Sequence, residues 1–257
     1  MSLRSSLDKA VLAILGRKIS MGENEEPFRR GMVIMAHPDD AEWSCSGTVA
    51  KWCADGWEVV YLLCTDGSKG SSDPEITSEM LIKIREKEQR DAGKVLGLKD
   101  VVFLGYPDAY LEPTLDLRRD IAREIRRYKP DVVIVGSPSR DTNSGHYLGH
   151  PDHFAAGEAA LSAVFPTARD RLTFPELLDE GFEPHKVREV WVAGGGDNSD
   201  QFVDVEDHMD TAVKALKAHV SQVDQEHAGE WFRQGRINTG KKVGMAYAEG
   251  FKRISLG

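Results

Sequence analysis

Cysteine is scarce: Cys45, Cys53 and Cys64 are the only three in 257 residues, crowded into a short stretch with no C-x-x-C spacing. Three thiols cannot all pair, which excludes a disulfide framework and suits a reducing, cytoplasmic compartment. Long apolar runs are missing as well. The longest near the N-terminus is Ala10 to Leu15, too short for a signal-peptide core. No stretch approaches the roughly 20 apolar residues that span a bilayer. Positive charge is in deficit, with Lys+Arg 33 against Asp+Glu 42 and a net charge of −9. A broad basic footprint for nucleic acid or an anionic membrane is therefore not expected. Repeats and low-complexity tracts are absent, and 40% hydrophobic residues are too many for a disordered chain.

What is present is an alternation. Short apolar runs at Met32–Ala36, Val59–Cys64, Val101–Leu104, Val132–Gly136 and Val187–Ala193, with a weaker one at Phe202–Val205, are mostly rich in Val and Ile. They lack period-two alternation, as strands buried on both faces of a parallel sheet do. Between them, residues 42–54, 76–96 and 115–128 read as helices, the last stopped before Pro130. Strand–helix alternation implies right-handed βαβ units, hence an α/β fold with a Rossmann-like, doubly wound, mainly parallel sheet. We expect one domain over residues 1–257 with its core at about 30–206. A helix over 3–18, carried by Leu3, Leu7, Val11 and Leu15, and helices over 209–254 are expected as elaborations.

The first strand leads into no glycine-rich loop. Instead of G-x-G-x-x-G, the turn reads His37-Pro38-Asp39-Asp40, which argues against a bound dinucleotide. Asp40 alone would be read as a helix cap, but a cap explains neither the imidazole nor the second carboxylate. A matching cluster, Gly149-His150-Pro151-Asp152-His153, follows the fourth strand and opens a helix over 154–163. Strands one and four are neighbours at the switch point of a doubly wound sheet, so the two clusters are expected to meet. Two imidazoles and a carboxylate that leave one coordination position open have the composition of a catalytic zinc site. The cysteines are then core residues.

Ala36-His-Pro-Asp-Asp-Ala-Glu42 and Gly149-His-Pro-Asp-His-Phe154 resemble the motifs of the LmbE-like (PIG-L) family of zinc-dependent deacetylases acting on N-acetylglucosamine-type substrates. Thr65-Asp-Gly, Arg85-x-x-Glu88, the stretch Phe103–Asp108, Ala218-His-Val-Ser-Gln222 and Ala248-Glu-Gly-Phe251 extend the resemblance over roughly residues 30–254. It implies one Zn²⁺ per subunit on His37, Asp40 and His153, Asp39 as general base and His150 as second catalytic group. Arg85 and Asp108 stand where the family places sugar-contacting residues. Ser68 replaces a frequent Glu and Phe154 a frequent Arg, departures that bear on the substrate and not on the implied metal site.

The expected activity is hydrolytic removal of the acetyl group from a small N-acetylglucosamine-containing sugar. The metal would activate water, Asp39 would take its proton, and His150 would stabilise the oxyanion and protonate the departing amine. A homo-oligomer, trimer or hexamer, is implied by the resemblance. Two rivals remain. A non-catalytic carbohydrate-binding protein would not need Asp39 and His150. A non-haem Fe(II) oxygenase could use His37-x-Asp39 and His153, but would leave Asp40 and His150 idle and normally sits on a β-helix.

Overall fold

The computed structural model describes residues 27–140, 148–194 and 198–256; the expected helix at 3–18 lies outside them. The elements run β1 (Arg30–Met35), α1 (Asp40–Ala54), β2 (Glu58–Thr65), α2 (Ser78–Leu96), β3 (Asp100–Tyr106), α3 (Leu115–Tyr128) and β4 (Val132–Val135). They continue with α4 (Pro151–Ser162), α5 (Glu176–Asp179), β5 (Glu189–Ala193), β6 (Gln201–Asp204), α6 (Met209–Leu216), α7 (Ala228–Val243) and β7 (Ala248–Ser255).

Helix boundaries follow local chemistry. Thr77 and Thr114 cap α2 and α3 by accepting the N–H groups of Met80 and Leu117, each at 3.2 Å. Gly97 and Gly244 end α2 and α7 at φ 82° and 74°, a conformation glycine adopts without steric cost. In α3, Leu117, Ile121 and Ile125 fall on one face and are fully buried.

All strands join one seven-stranded sheet in the order β3-β2-β1-β4-β5-β7-β6. The first five are parallel, and β1 is flanked by β2 and β4, with Ile34 beside Leu62 and Val135. Along β1 the side chains alternate between two cores. Val33 and Met35 pack with residues of α1, α2, α6 and α7, such as Val49, Ala92, Leu216 and Phe232. Met32 and Ile34 pack on the other face with α3 and α4 residues such as Ile121, Ile125 and Ala159. Helices α1 and α2 therefore cover one face and α3 and α4 the other. The reversal falls between β1 and β4, which leaves a crevice beyond their carboxyl ends.

The C-terminal region differs from expectation. Residues 209–254 are not all helical: α7 stops at Gly244, and β7 enters the sheet between β5 and β6, antiparallel to both. Its charged residues Lys252 and Arg253 hide the strand from pattern reading. They are tolerated because Lys252 reaches Asp200 and Arg253 reaches Glu189.

Candidate active site

The end of β1 is tied to β2, since both the backbone N–H and the hydroxyl of Thr65 donate to the Ala36 carbonyl, at 2.8 and 2.9 Å. The chain then turns sharply. Asp39 has φ 89°, in the left-handed region where a residue with a Cβ is strained by on the order of 1–3 kcal/mol. Helix α2 holds the turn: Gln89 Oε1 accepts the Asp39 N–H at 3.1 Å, and the Arg85 guanidinium donates to the Pro38 carbonyl at 2.8 Å. The turn lets adjacent carboxylates face different partners. Asp39 lies 3.5 Å from the Arg85 guanidinium. Asp40, the first residue of α1, makes no N-terminal cap; its carboxylate accepts the His37 N–H at 2.8 Å and faces His37 Nδ1 at 3.3 Å and His153 Nε2 at 3.0 Å.

The second cluster sits on the first turn of α4, which begins at Pro151, three residues earlier than the sequence suggests. His150 caps it, its Nδ1 accepting the Asp152 N–H at 3.2 Å. Nδ1 is thereby the acceptor nitrogen, and the neutral ring carries its proton on Nε2. His153 follows one turn later on the same side. Asp152 is fully buried; it accepts the Ala109 N–H at 2.7 Å and lies 3.3 Å from His37 Nε2. Asp108 approaches the same nitrogen at 3.1 Å and accepts the Lys69 N–H at 3.0 Å. With Nε2 directed to two carboxylates, the His37 ring turns Nδ1 toward Asp40.

These contacts set the charges. Burial pulls the His37 imidazolium down, but hydrogen bonds to Asp108, Asp152 and Asp40 outweigh it and raise its pKa to about 11. Burial and the neighbouring Asp40 charge push the Asp39 carboxyl up to about 7, against the opposing pull of Arg85. Burial would raise Asp40 too, yet hydrogen bonds from His153 and His37 hold it below the usual carboxylate range. His150 is lowered by burial and by the His37 charge.

Ligand atoms of His37, Asp40 and His153 all lie within 4.8 Å of one another. Four donors at the 2.0–2.1 Å typical of zinc form a tetrahedron with edges of about 3.3–3.4 Å. His37 Nδ1 faces one Asp40 oxygen at 3.3 Å and His153 Nε2 the other at 3.0 Å, so two imidazoles and a carboxylate, donor types that suit a divalent ion, converge on one spot with room between them for the ion. The carboxylates behind His37 would orient it as outer partners orient a ligating imidazole.

A cavity of about 710 Å³ opens over this group, and all seven residues singled out from the sequence line it: His37, Asp39, Asp40, Arg85, Asp108, His150 and His153. Trp43, Ser44, Ser137, Leu148 and Phe154 add further wall. Its size is typical of small-ligand clefts, about 300–1,000 Å³. Arg85 and Asp108 are nearly buried within their own contacts, Arg85 also donating to the Gly67 and Lys69 carbonyls at 3.1 and 3.2 Å. His146 and Tyr147, also candidates for the pocket, lie outside the described residues. Gln89 was not foreseen, because its part depends on α2 lying beside the first turn. Glu88 binds the backbone and hydroxyl of Ser221 at 2.8 and 2.7 Å, which joins two of the recognised motifs.

Fold and cluster together define an α/β protein with a His/Asp group of the metal-binding kind at the switch point of its sheet. The chain belongs to the PIG-L family, whose pattern, described as GlcNAc-PI de-N-acetylase, matches residues 32–164. It is 32% identical to the diacetylchitobiose deacetylase of Thermococcus kodakarensis over 97% of this chain and 92% of that protein. It is 30% identical to a probable N-acetyl-α-D-glucosaminyl L-malate deacetylase of Bacillus anthracis, over 76% and 81%. Among solved structures, the N,N′-diacetylchitobiose deacetylase of Pyrococcus horikoshii superposes with a TM-score of 0.82 at 26% identity, covering 99% and 94%.

Proposed function

We propose that this chain is a zinc-dependent hydrolase that removes the acetyl group from a small N-acetylglucosamine-containing sugar, with a diacetylchitobiose-like disaccharide as the favoured substrate. The observation that carries the reading is the convergence of His37, Asp40 and His153, with the Asp39 carboxylate beside them, on one cavity. Named relatives that cover nearly the whole chain act on that disaccharide, and the cavity has room for more than one sugar ring.

His37, Asp40 and His153 would hold the ion, one per subunit, which when bound polarises an amide carbonyl and makes water acidic. Asp39 accepts the proton of the attacking water as general base. Arg85 and Gln89 keep its carboxylate and backbone in place. His150, neutral with Nδ1 accepting the Asp152 N–H, presents its Nε2–H to the oxygen that gains charge, and the proton that Asp39 took from water passes to the amide nitrogen, which makes the amine a competent leaving group. Arg85 and Asp108 shape the floor under the sugar. The oxygenase alternative lacks its customary scaffold, because this sheet is doubly wound.

The test is amine release from N-acetyl sugars of one to three units by protein whose metal content has been measured. Zn²⁺ near one per chain with release greatest on the disaccharide is expected. Metal-loaded protein that binds these sugars without releasing amine would instead establish a carbohydrate-binding role.

A further inference from the structure

Helix α1 is broken in the middle. Cys45 has φ −150° and ψ 17°, outside helical values, so Asp40–Ser44 and the remainder of α1 are two short helical segments meeting at an angle. In an unbroken helix the N–H groups of Gly47 and Thr48 would bond the carbonyls of Trp43 and Ser44. Here a carboxylate and a guanidinium from the distant C-terminal region stand in the gap. Glu249 on β7 accepts the Gly47 N–H at 3.1 Å and the Thr48 N–H at 2.7 Å. Arg236 on α7 donates to the Trp43 carbonyl at 2.6 Å and pairs with Glu249 at 3.0 Å. Within the break, the Ser46 hydroxyl caps the Glu42 carbonyl at 2.7 Å. Glu249 is 3% exposed, so its charge is held almost entirely by these partners. The space at the break is closed: a Cβ on Gly47 would sit 2.9 Å from Val205 and 3.1 Å from Glu249 Oε1.

The short first segment is the part of α1 that faces the cavity. It carries Asp40, and both Trp43 and Ser44 line the pocket. Trp43 also packs on Phe232, over whose ring the Arg236 guanidinium lies at 3.7 Å. We infer that the Glu249–Arg236 pair is a positioning device: it fixes the break in α1 and thereby aims Asp40 into the metal site and Trp43 into the sugar cavity. This gives the C-terminal Ala248-Glu-Gly-Phe251 motif a task at a site it does not touch. The inference rests on the metal-site part of the proposed function, not on the identity of the sugar.

The deciding experiment titrates Zn²⁺ into metal-free protein and its variants, with thermal melts alongside. Glu249→Ala is expected to weaken Zn²⁺ binding about tenfold or more, the scale of a lost outer partner of a metal ligand, and to raise KM through Trp43. Glu249→Gln keeps an acceptor and should recover part of the loss, as should Arg236→Lys. Ile121→Val, on α3 under the opposite sheet face, should lower the melting temperature and leave Zn²⁺ affinity unchanged. If Glu249→Ala unfolds, Glu249→Gln and Arg236→Lys carry the test. Variants that melt earlier yet bind Zn²⁺ within twofold of the parent would overturn the inference. Parent protein that binds Zn²⁺ but releases no amine would overturn the proposed reaction and leave this one standing.

Discussion

Asp39 combines a strained backbone, a half-buried carboxylate and no direct bond to either histidine of the donor set. That separation from Asp40, its neighbour in sequence, sets up distinct failures. Asp39→Asn should bind Zn²⁺ as the parent does and lose about 10²–10⁴ in kcat, the usual range for a general base. His153→Ala should lose the ion itself, read as metal content after dialysis. An Asp39→Asn variant of undiminished kcat would remove Asp39 from the role of base. The histidines and aspartates were legible in sequence because each H-P-D cluster follows an apolar run, and strand ends are where such a sheet places ligands. The left-handed turn at Asp39 and the Gln89 acceptor were not legible. They depend on a contact between residues 50 positions apart, and no local pattern announces it.

At the level of elements, α4 matters most to the site, since its first turn carries His150 and His153. It lies close against the loop after β4: a Cβ on Gly157 would come within 2.6 Å of the Gly136 carbonyl oxygen. Backbone cannot yield as a side-chain tip does, so Gly157→Ala should push the helix outward. The expected cost is about 1–3 kcal/mol, or about 2–4 °C in Tm per kcal/mol for a chain of this size. Turnover should fall along with it. A melt and a rate assay at one metal concentration check both, and a variant with parental Tm would show that the contact relaxes freely. Elements whose identity was local, such as α3 with Leu117, Ile121 and Ile125 on one face, were readable in advance. Strand β7 was not, because Ala248–Ser255 owes its conformation to the neighbours it finds in the sheet.

Across the whole molecule, the candidate site and the anchorage of the strands occupy opposite ends of the sheet. At the amino ends of the strands, Asp131 accepts the N–H groups of Arg29 and Arg30, both at 3.0 Å, and Arg188 donates to its carbonyl. His185 closes the same end by donating Nε2–H to the Pro130 carbonyl at 2.7 Å. Burial holds the His185 pKa below its ordinary value, and this outweighs the opposing effect of the Pro130 carbonyl. The unfolded chain therefore takes up a proton at His185 before the folded one does. Its contribution to stability is complete above about pH 6.5 and is lost as pH falls toward the lowered folded value. Urea unfolding should show that decline below pH 6.5, and His185→Gln should flatten it; an unchanged slope would assign the proton uptake elsewhere. The doubly wound order at β1 and β4 was readable from the alternation of runs. The antiparallel insertion on the far side of β5 was not, since nothing in the spacing of strands orders β7 between β5 and β6.

That insertion also imposes an order on synthesis. Strands β5 and β6 leave the ribosome before β7, yet neither pairs with the other; each borders β7. Until residues 248–255 emerge, β5 has one unpaired edge and β6 has no strand partner at all, and the Gly47 and Thr48 amides of α1 await the Glu249 carboxylate. The nascent chain thus holds His37, His150 and His153 early but meets the Glu249 contacts that fix the break in α1 only once β7 has emerged, so the proposed metal site is completed after the parallel half of the sheet.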